Sequence, residues 1–186
     1  MYMSIGGYKI RNKKEIHFIS FAVVGWVDLF TRPLYKNIVL QSFEHCQLNK
    51  GLKLHGWCIM TNHVHFLAAA TNNNLSEILR DLKKFTSYSL LKIIHENEKE
   101  SRKEWMLDYF KKCGSANSRN SKYQLWQKDN APIECYSPEF TFQKLNYLHN
   151  NPVKAEWVVK PEDYLYSSAR SYILGKDKGL LNIELI

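Results

Sequence analysis

One α+β domain, an antiparallel sheet with helices packed on it, is predicted by three observations. Short runs rich in β-branched and aromatic residues alternate with longer runs of helical period, in the order strand, helix, strand, strand, helix, strand. The 186 residues are 45% hydrophobic, enough for one core without staples. Aromatics make up 13%, with only 8 Gly and 5 Pro, a composition that excludes a disordered basic tail.

The first strand is expected over Ile16 to Val24 (IHFISFAVV), where poor alternation predicts cover on both faces. Thr31 then fits an N-cap with Pro33 in the first turn, and Leu34, Ile38, Val39, Phe43 and Cys46 recur at helical spacing until Lys50-Gly51. Leu52 to Met60 and His63 to Ala70 are strand-like, and Thr61-Asn62 between them predicts an antiparallel hairpin. Leu75, Ile78, Leu79, Leu82, Phe85, Leu90, Ile93 and Ile94 mark one face of a long helix ending near Glu98.

Charge dominates from about 98 to 122, which reads as a mobile insertion or a helix end followed by a loop, where function is not expected although its basic residues could touch an acidic partner. The fourth strand is either Tyr123 to Gln127 or Ile133 to Tyr136. Ser137 then caps a helix with Pro138 at its first position, running to about Asn151 before Pro152 stops it, with Phe142, Leu145 and Leu148 as its buried stripe. This order is the ferredoxin-like (RRM-like) split βαβ pattern, with helices expected on one face of the sheet. Residues 1–186 thus form one domain, with the insertion at about 98–122 and a C-terminal extension over about 153–186.

Twenty-six Lys and Arg against eighteen Asp and Glu leave a formal charge of +8, so a large partner should be acidic, nucleic acid first. The longest apolar stretch, Phe21 to Phe30, is interrupted by Asp28 and is too short to cross a membrane. The N-terminus lacks a secretory pattern, and cytoplasmic location is expected. Cys46, Cys58, Cys113 and Cys135 form no C-x-x-C pair, which argues against a zinc knuckle or a redox motif.

On a strand, His63 and His65 project from the same face. Two imidazoles placed so can hold one metal ion, or they are simply two polar residues on a half-solvated face. H-E-x-x-H is absent, so zinc-protease chemistry has no support. Tyr147 and Asn151 stand one helical turn apart, off the buried stripe. They suit a nucleophile and an oxygen ligand, or equally a surface tyrosine and a helix terminator. Arg80, Lys83, Lys84 and Lys154 are the candidates for DNA-backbone contacts.

The pair in NHVHFL, followed about eighty residues later by YLHNNPVKAEWV and then by DYLYSSARSY, resembles the single-tyrosine HUH transposases, particularly the REP-associated tyrosine transposases. The resemblance runs in order from the first strand to about Tyr172. It implies the HUH endonuclease architecture, a divalent metal (Mg²⁺ or Mn²⁺) on His63, His65 and Asn151, and Tyr147 as the nucleophile. The implied activity is cleavage and rejoining of single-stranded DNA through a 5′-phosphotyrosine, on a single-stranded or hairpin substrate, by a monomer or a homodimer. Two other readings predict different chemistry: a domesticated or inactive DNA-binding protein of the same fold, and a metal-dependent hydrolase with water as nucleophile. Tyr164, Tyr166 and Tyr172 are rival nucleophiles, read here as packing a C-terminal segment.

Overall fold

Four strands, β1 (His17–Ala22), β2 (Leu52–Ile59), β3 (His63–Ala70) and β4 (Ile133–Glu134), form one antiparallel sheet in the order β2-β3-β1-β4. That is the split βαβ arrangement expected from the element order. The computed structural model describes residues 10, 12, 15–116, 122–128 and 131–186. Most of the N-terminal segment read above for a secretory pattern, and positions 117–121 of the charged insertion, lie outside them.

β1 lies between β3 and β4, which suits a strand buried on both faces. Its register with β3 runs from His17 opposite Ala68 to Ala22 opposite His63. Both candidates for the fourth strand end up against β1. Ile133–Glu134 pairs with Phe18 and His17, while Trp126 makes a single bridge to Val23 and is not part of a longer strand.

The first helix, α1 (Pro33–Lys50), starts one residue later than expected. Thr31 belongs to a 3-10 turn, so Arg32 with extended backbone takes the cap position, and the Thr31 hydroxyl accepts a hydrogen bond from Arg102 instead. Gly51 closes the helix at φ +72°, a left-handed conformation glycine adopts without strain, and its N–H donates to the Cys46 carbonyl. In α2 (Leu75–Glu96) Phe85 is 56% exposed and Thr86 takes the buried place, accepting a hydrogen bond from Trp126 Nε1 at 3.0 Å.

The charged segment holds a helix that the composition hid, α3 (Lys103–Ser115). Met106, Phe110 and Gly114 form a stripe at four-residue spacing, narrow enough to be lost among the charges yet sufficient to dock the helix. Next come α4 (Pro138–His149), capped by the Ser137 hydroxyl accepting from Phe140 N–H, and a short α5 (Asn151–Lys154). Pro152 lies in the first turn of α5, where its missing N–H costs nothing, so it bends the path and does not end it.

The helices divide between the two faces, where one-sided cover was expected. Ile19, Phe21, Val64 and Phe66 point to the α1 and α2 side, while Phe18, Cys58 and Leu67 meet Leu145 and Leu148 of α4. A central sheet with apolar side chains on both faces must be covered twice, and element order does not say which helix goes where. α4 docks through Thr141, Leu145, Leu148 and His149, leaving Phe142 44% exposed, outside the stripe predicted for it.

Gly56 permits the close approach of α4: a Cβ there would stand 2.6 Å from Leu145 Cδ1. Gly56→Val is expected to destabilise the fold by about 1–3 kcal/mol through overpacking. Thermal unfolding measures this.

The free edge of β2 is covered by the C-terminal segment. Ile59 N–H donates to Tyr166 O, Trp57 and Ser168 exchange backbone and side-chain hydrogen bonds, and Glu184 N–H donates to Leu54 O. An open edge strand is thereby closed to pairing with other chains. α6 (Ala169–Ile173) lies within this segment.

Candidate active site

Side chains alternate along β3, so His63, His65 and Leu67 share the face that α4 covers, opposite Ala22, Ser20 and Phe18 of β1. The two imidazole rings lie 4.6 Å apart. Tyr147, reaching down from α4, sets its ring 5.3 Å from His65 and 5.8 Å from Phe18 in the same chain. The strand period and the packing of Leu145 and Leu148 on the sheet together bring the tyrosine over the histidines.

Each histidine is held by its Nδ1. His63 Nδ1 lies 2.6 Å from Asn62 Oδ1, an acceptor, so Nδ1 carries the proton and Nε2 keeps its lone pair. The Asn62 amide is itself oriented, its Nδ2 donating to Asp28 Oδ1 at 3.1 Å and to the Trp26 carbonyl. His65 Nδ1 lies 2.7 Å from Ser20 Oγ. Donation to that hydroxyl again leaves Nε2 free, the outer-sphere pattern that aims histidine at a metal. Burial lowers the pKa of His63; burial first, then His63 and Lys144, push His65 down to about 3. Both rings are therefore neutral at pH 7, the form that ligates.

Tyr147 remains 42% exposed. The ammonium groups of Lys144 and Lys154 stand 5.9 and 5.6 Å from its ring centre, so the phenol sits between the buried His65 imidazole and two cations. Asn151 follows one turn later at the start of α5, and its side-chain nitrogen is buried with no hydrogen-bond partner among the described residues. Such an orphan costs free energy unless the amide has another use. No cluster of three or more His, Cys, Asp or Glu that could hold a metal occurs among the described residues. For a cation at the histidine pair the Asn151 amide would offer its Oδ1, since Nδ2 is a donor and cannot ligate.

The candidate DNA contacts divide. Lys154 lies beside Tyr147, but Arg80, Lys83 and Lys84 are on α2, which packs on the other face of the sheet. Arg80 is ion-paired to Asp81 at 3.0 Å, and Lys83 donates to the Gln127 carbonyl and covers the Phe21 ring. Charge on a helix marks its solvent side and says nothing about which sheet face it serves. The residues missed were Lys144, Ser20, Asn62 and Asp28. Of these Lys144 carried a signal, standing at i−3 from Tyr147 on the same helix, and so did Asn62, which adjoins His63 in NHVHFL.

Tyr164 and Tyr172 are engaged as packing groups, donating to the carbonyls of Ile59 and His55 at 2.8 and 2.7 Å. Burial raises the pKa of both hydroxyls. His149 is buried with its Nε2 2.8 Å from Ser168 Oγ, tying α4 to the C-terminal segment.

A split βαβ sheet with paired histidines on a central strand, faced by a tyrosine from a covering helix, defines the HUH type of architecture. Residues 14–123, more than half of the chain, match the family model described as "Transposase IS200 like", and the chain belongs to that family. The matched segment includes His63 and His65 and ends before Tyr147. A solved REP-associated tyrosine transposase bound to a REP hairpin shares the fold, with a TM-score of 0.64 and 13% identity over 94% of this chain and 86% of that one. No curated protein matches the chain. Among the described residues no helix is long and apolar enough to cross a membrane.

Proposed function

We propose that the chain cleaves and rejoins single-stranded DNA, with Tyr147 as nucleophile and His63, His65 and Asn151 as the holders of a divalent cation, Mg²⁺ or Mn²⁺. The observation that carries this reading is the 5.3 Å approach of Tyr147 to His65 within one chain. When bound there, the cation supplies Lewis-acid neutralisation of phosphate charge.

Tyr147 Oη attacks the scissile phosphorus. The Oη–P bond forms, the P–O3′ bond breaks, and the phenolic proton is lost to solvent while the departing 3′ oxygen takes one up. A 5′-phosphotyrosine and a free 3′-hydroxyl result, and the reverse attack rejoins the strand without ATP because the phosphodiester bond type is kept. Lys144 and Lys154 flank the phenol and are the proposed phosphate contacts, with the positive charge of the whole chain drawing the strand in. Hairpin DNA with an unpaired flank satisfies the same geometry. Tyr147 approaches His65 within one chain, which supports a nucleophile delivered in cis, by a monomer or by either half of a homodimer. Work in the cytoplasm belongs to the same reading.

The experiment is to incubate the purified chain with a labelled randomised pool of single strands and Mg²⁺ or Mn²⁺, then look for a denaturation-resistant protein–DNA adduct. The adduct should form with metal, disappear with chelator, and fall by at least roughly 10²-fold in His65→Ala, which removes a ligand. Cleavage without adduct would favour water as nucleophile. Binding with neither would favour a domesticated DNA-binding protein.

A further inference from the structure

We propose that Trp26 is a stacking platform for the unpaired base adjoining the phosphate that Tyr147 attacks, an inference that rests on the cleavage reading above. Trp26 is 58% exposed, and its ring stands 5.8 Å from His63, edge to face. It is thus a large aromatic surface left in solvent at the mouth of the site.

Its backbone is as unusual as its exposure. Trp26 has φ +55°, a left-handed conformation that a bulky residue adopts only under constraint, and Gly25 before it has φ +63°. The surroundings impose it. Trp26 N–H donates to Val23 O, the Trp26 carbonyl accepts from the same Asn62 amide that orients His63, and Val24 N–H donates to Leu125 O. From the other side Tyr109 of α3 fills the space that a Cβ on residue 25 would need, and Trp105 stacks on Tyr109 at 5.9 Å. A side chain that only needed cover would have relaxed into the core. This one is held outward by hydrogen bonds that lead to a candidate metal ligand.

The occupant follows from the chemistry. Every base has a π-face, and aromatic stacking is the usual means of holding single strands without reading sequence. A base already stacked within a duplex has no free face to offer, so the platform favours an unpaired nucleotide. The Lys144 and Lys154 ammonium groups beside Tyr147 would meanwhile hold the backbone.

The test uses the strand recovered in the covalent adduct from the randomised pool, bound to the full chain carrying Tyr147→Phe so that nothing turns over. A series of strands, each with one abasic position, should show one position next to the cleavage point where loss of the base weakens binding. Trp26→Ala should weaken the intact strand by roughly 10- to 100-fold and erase that abasic penalty, while Trp26→Phe keeps most of both. Trp26→Gly, unstrained at positive φ, should lose the same affinity while its Tm stays equal or rises. A structural role predicts the reverse, a lower Tm with affinity unchanged. Unchanged affinity and an unchanged abasic profile in Trp26→Ala would overturn the proposal while leaving the cleavage reading intact. Failure of the wild-type chain to form any adduct would overturn both.

Discussion

Tyr147→Phe is expected to abolish the covalent protein–DNA adduct, lowering its yield by at least roughly 10³-fold, as removal of a nucleophile does elsewhere. The substitution deletes one oxygen and little else. The ring keeps its edge contact with Phe18 and its approach to His65, and Lys144 and Lys154 still lie over it. The hydroxyl makes no hydrogen bond to another described residue and the side chain is 42% exposed, so the fold should lose less than about 0.5 kcal/mol. Affinity for single strands should be close to that of wild type. The comparison is made on a denaturing gel with end-labelled strand, beside a Tm and a binding curve for each protein. An undiminished adduct in Tyr147→Phe would sink the assignment. The remaining C-terminal tyrosines are poor substitutes, since Tyr164 and Tyr172 already donate to backbone carbonyls.

Glu100→Ala should produce the largest loss of stability, about 2–4 kcal/mol, because it removes a buried carboxylate and leaves the buried Tyr35 hydroxyl and two partly exposed arginines without their acceptor. Glu100 has no exposed side-chain surface. Arg32 Nε and Arg102 Nε each stand 3.0 Å from it, and Tyr35 donates its hydroxyl at 2.9 Å. For a domain of this length that loss corresponds to a fall in Tm of roughly 4–16 °C. Glu100→Gln, which keeps the shape and one acceptor, should cost less, about 1–3 kcal/mol.

The same carboxylate gives a pH dependence. Burial alone would raise its pKa, but hydrogen bonds from Arg102 and Tyr35 and the Arg102 charge outweigh it and hold the group at about 2 against an ordinary 4.5. A depressed carboxylate pKa adds stability that is fully present above the ordinary value and lost as pH falls toward the folded one. Wild-type stability should therefore decline between about pH 4.5 and 2, and Glu100→Gln should remove this part of the decline. Denaturant titrations across that range measure it.

The network also touches the site. Arg102 donates to the Asp28 carbonyl at 2.7 Å and to Thr31 Oγ1 at 3.1 Å, while Asp28 Oδ1 accepts from Asn62, the residue that holds His63. The charged segment, where composition suggested at most a few DNA-touching basic residues, thus braces the entrance to the candidate site through Arg102 and, by way of Tyr109, the loop bearing Trp26.

Local rules made much of this molecule legible in advance. The period of two put His63 and His65 on one face, Ser137-Pro138 marked the start of α4, and the Thr61-Asn62 pair marked the hairpin. Each depends on geometry that a few consecutive residues determine by themselves. The four-residue spacing of Tyr147 and Asn151 was likewise local.

Contacts between faces were not legible. No period says that α4 covers the side of the sheet away from α1 and α2, which is what brings Tyr147 to His65 and leaves Arg80, Lys83 and Lys84 behind the sheet. α3 was hidden because its apolar stripe is three residues long, and β4 stayed one of two candidates because two residues carry no pattern. Ser20 and Asp28 matter only through partners far along the chain, 45 residues away for Ser20 and His65 and 34 for Asp28 and Asn62. The sequence by itself determined the alternation on β3, the start of α4 and the chemical types at the site. The tertiary structure alone decided which face each helix covers, because burial is satisfied by pairing surfaces and those pairings are long-range.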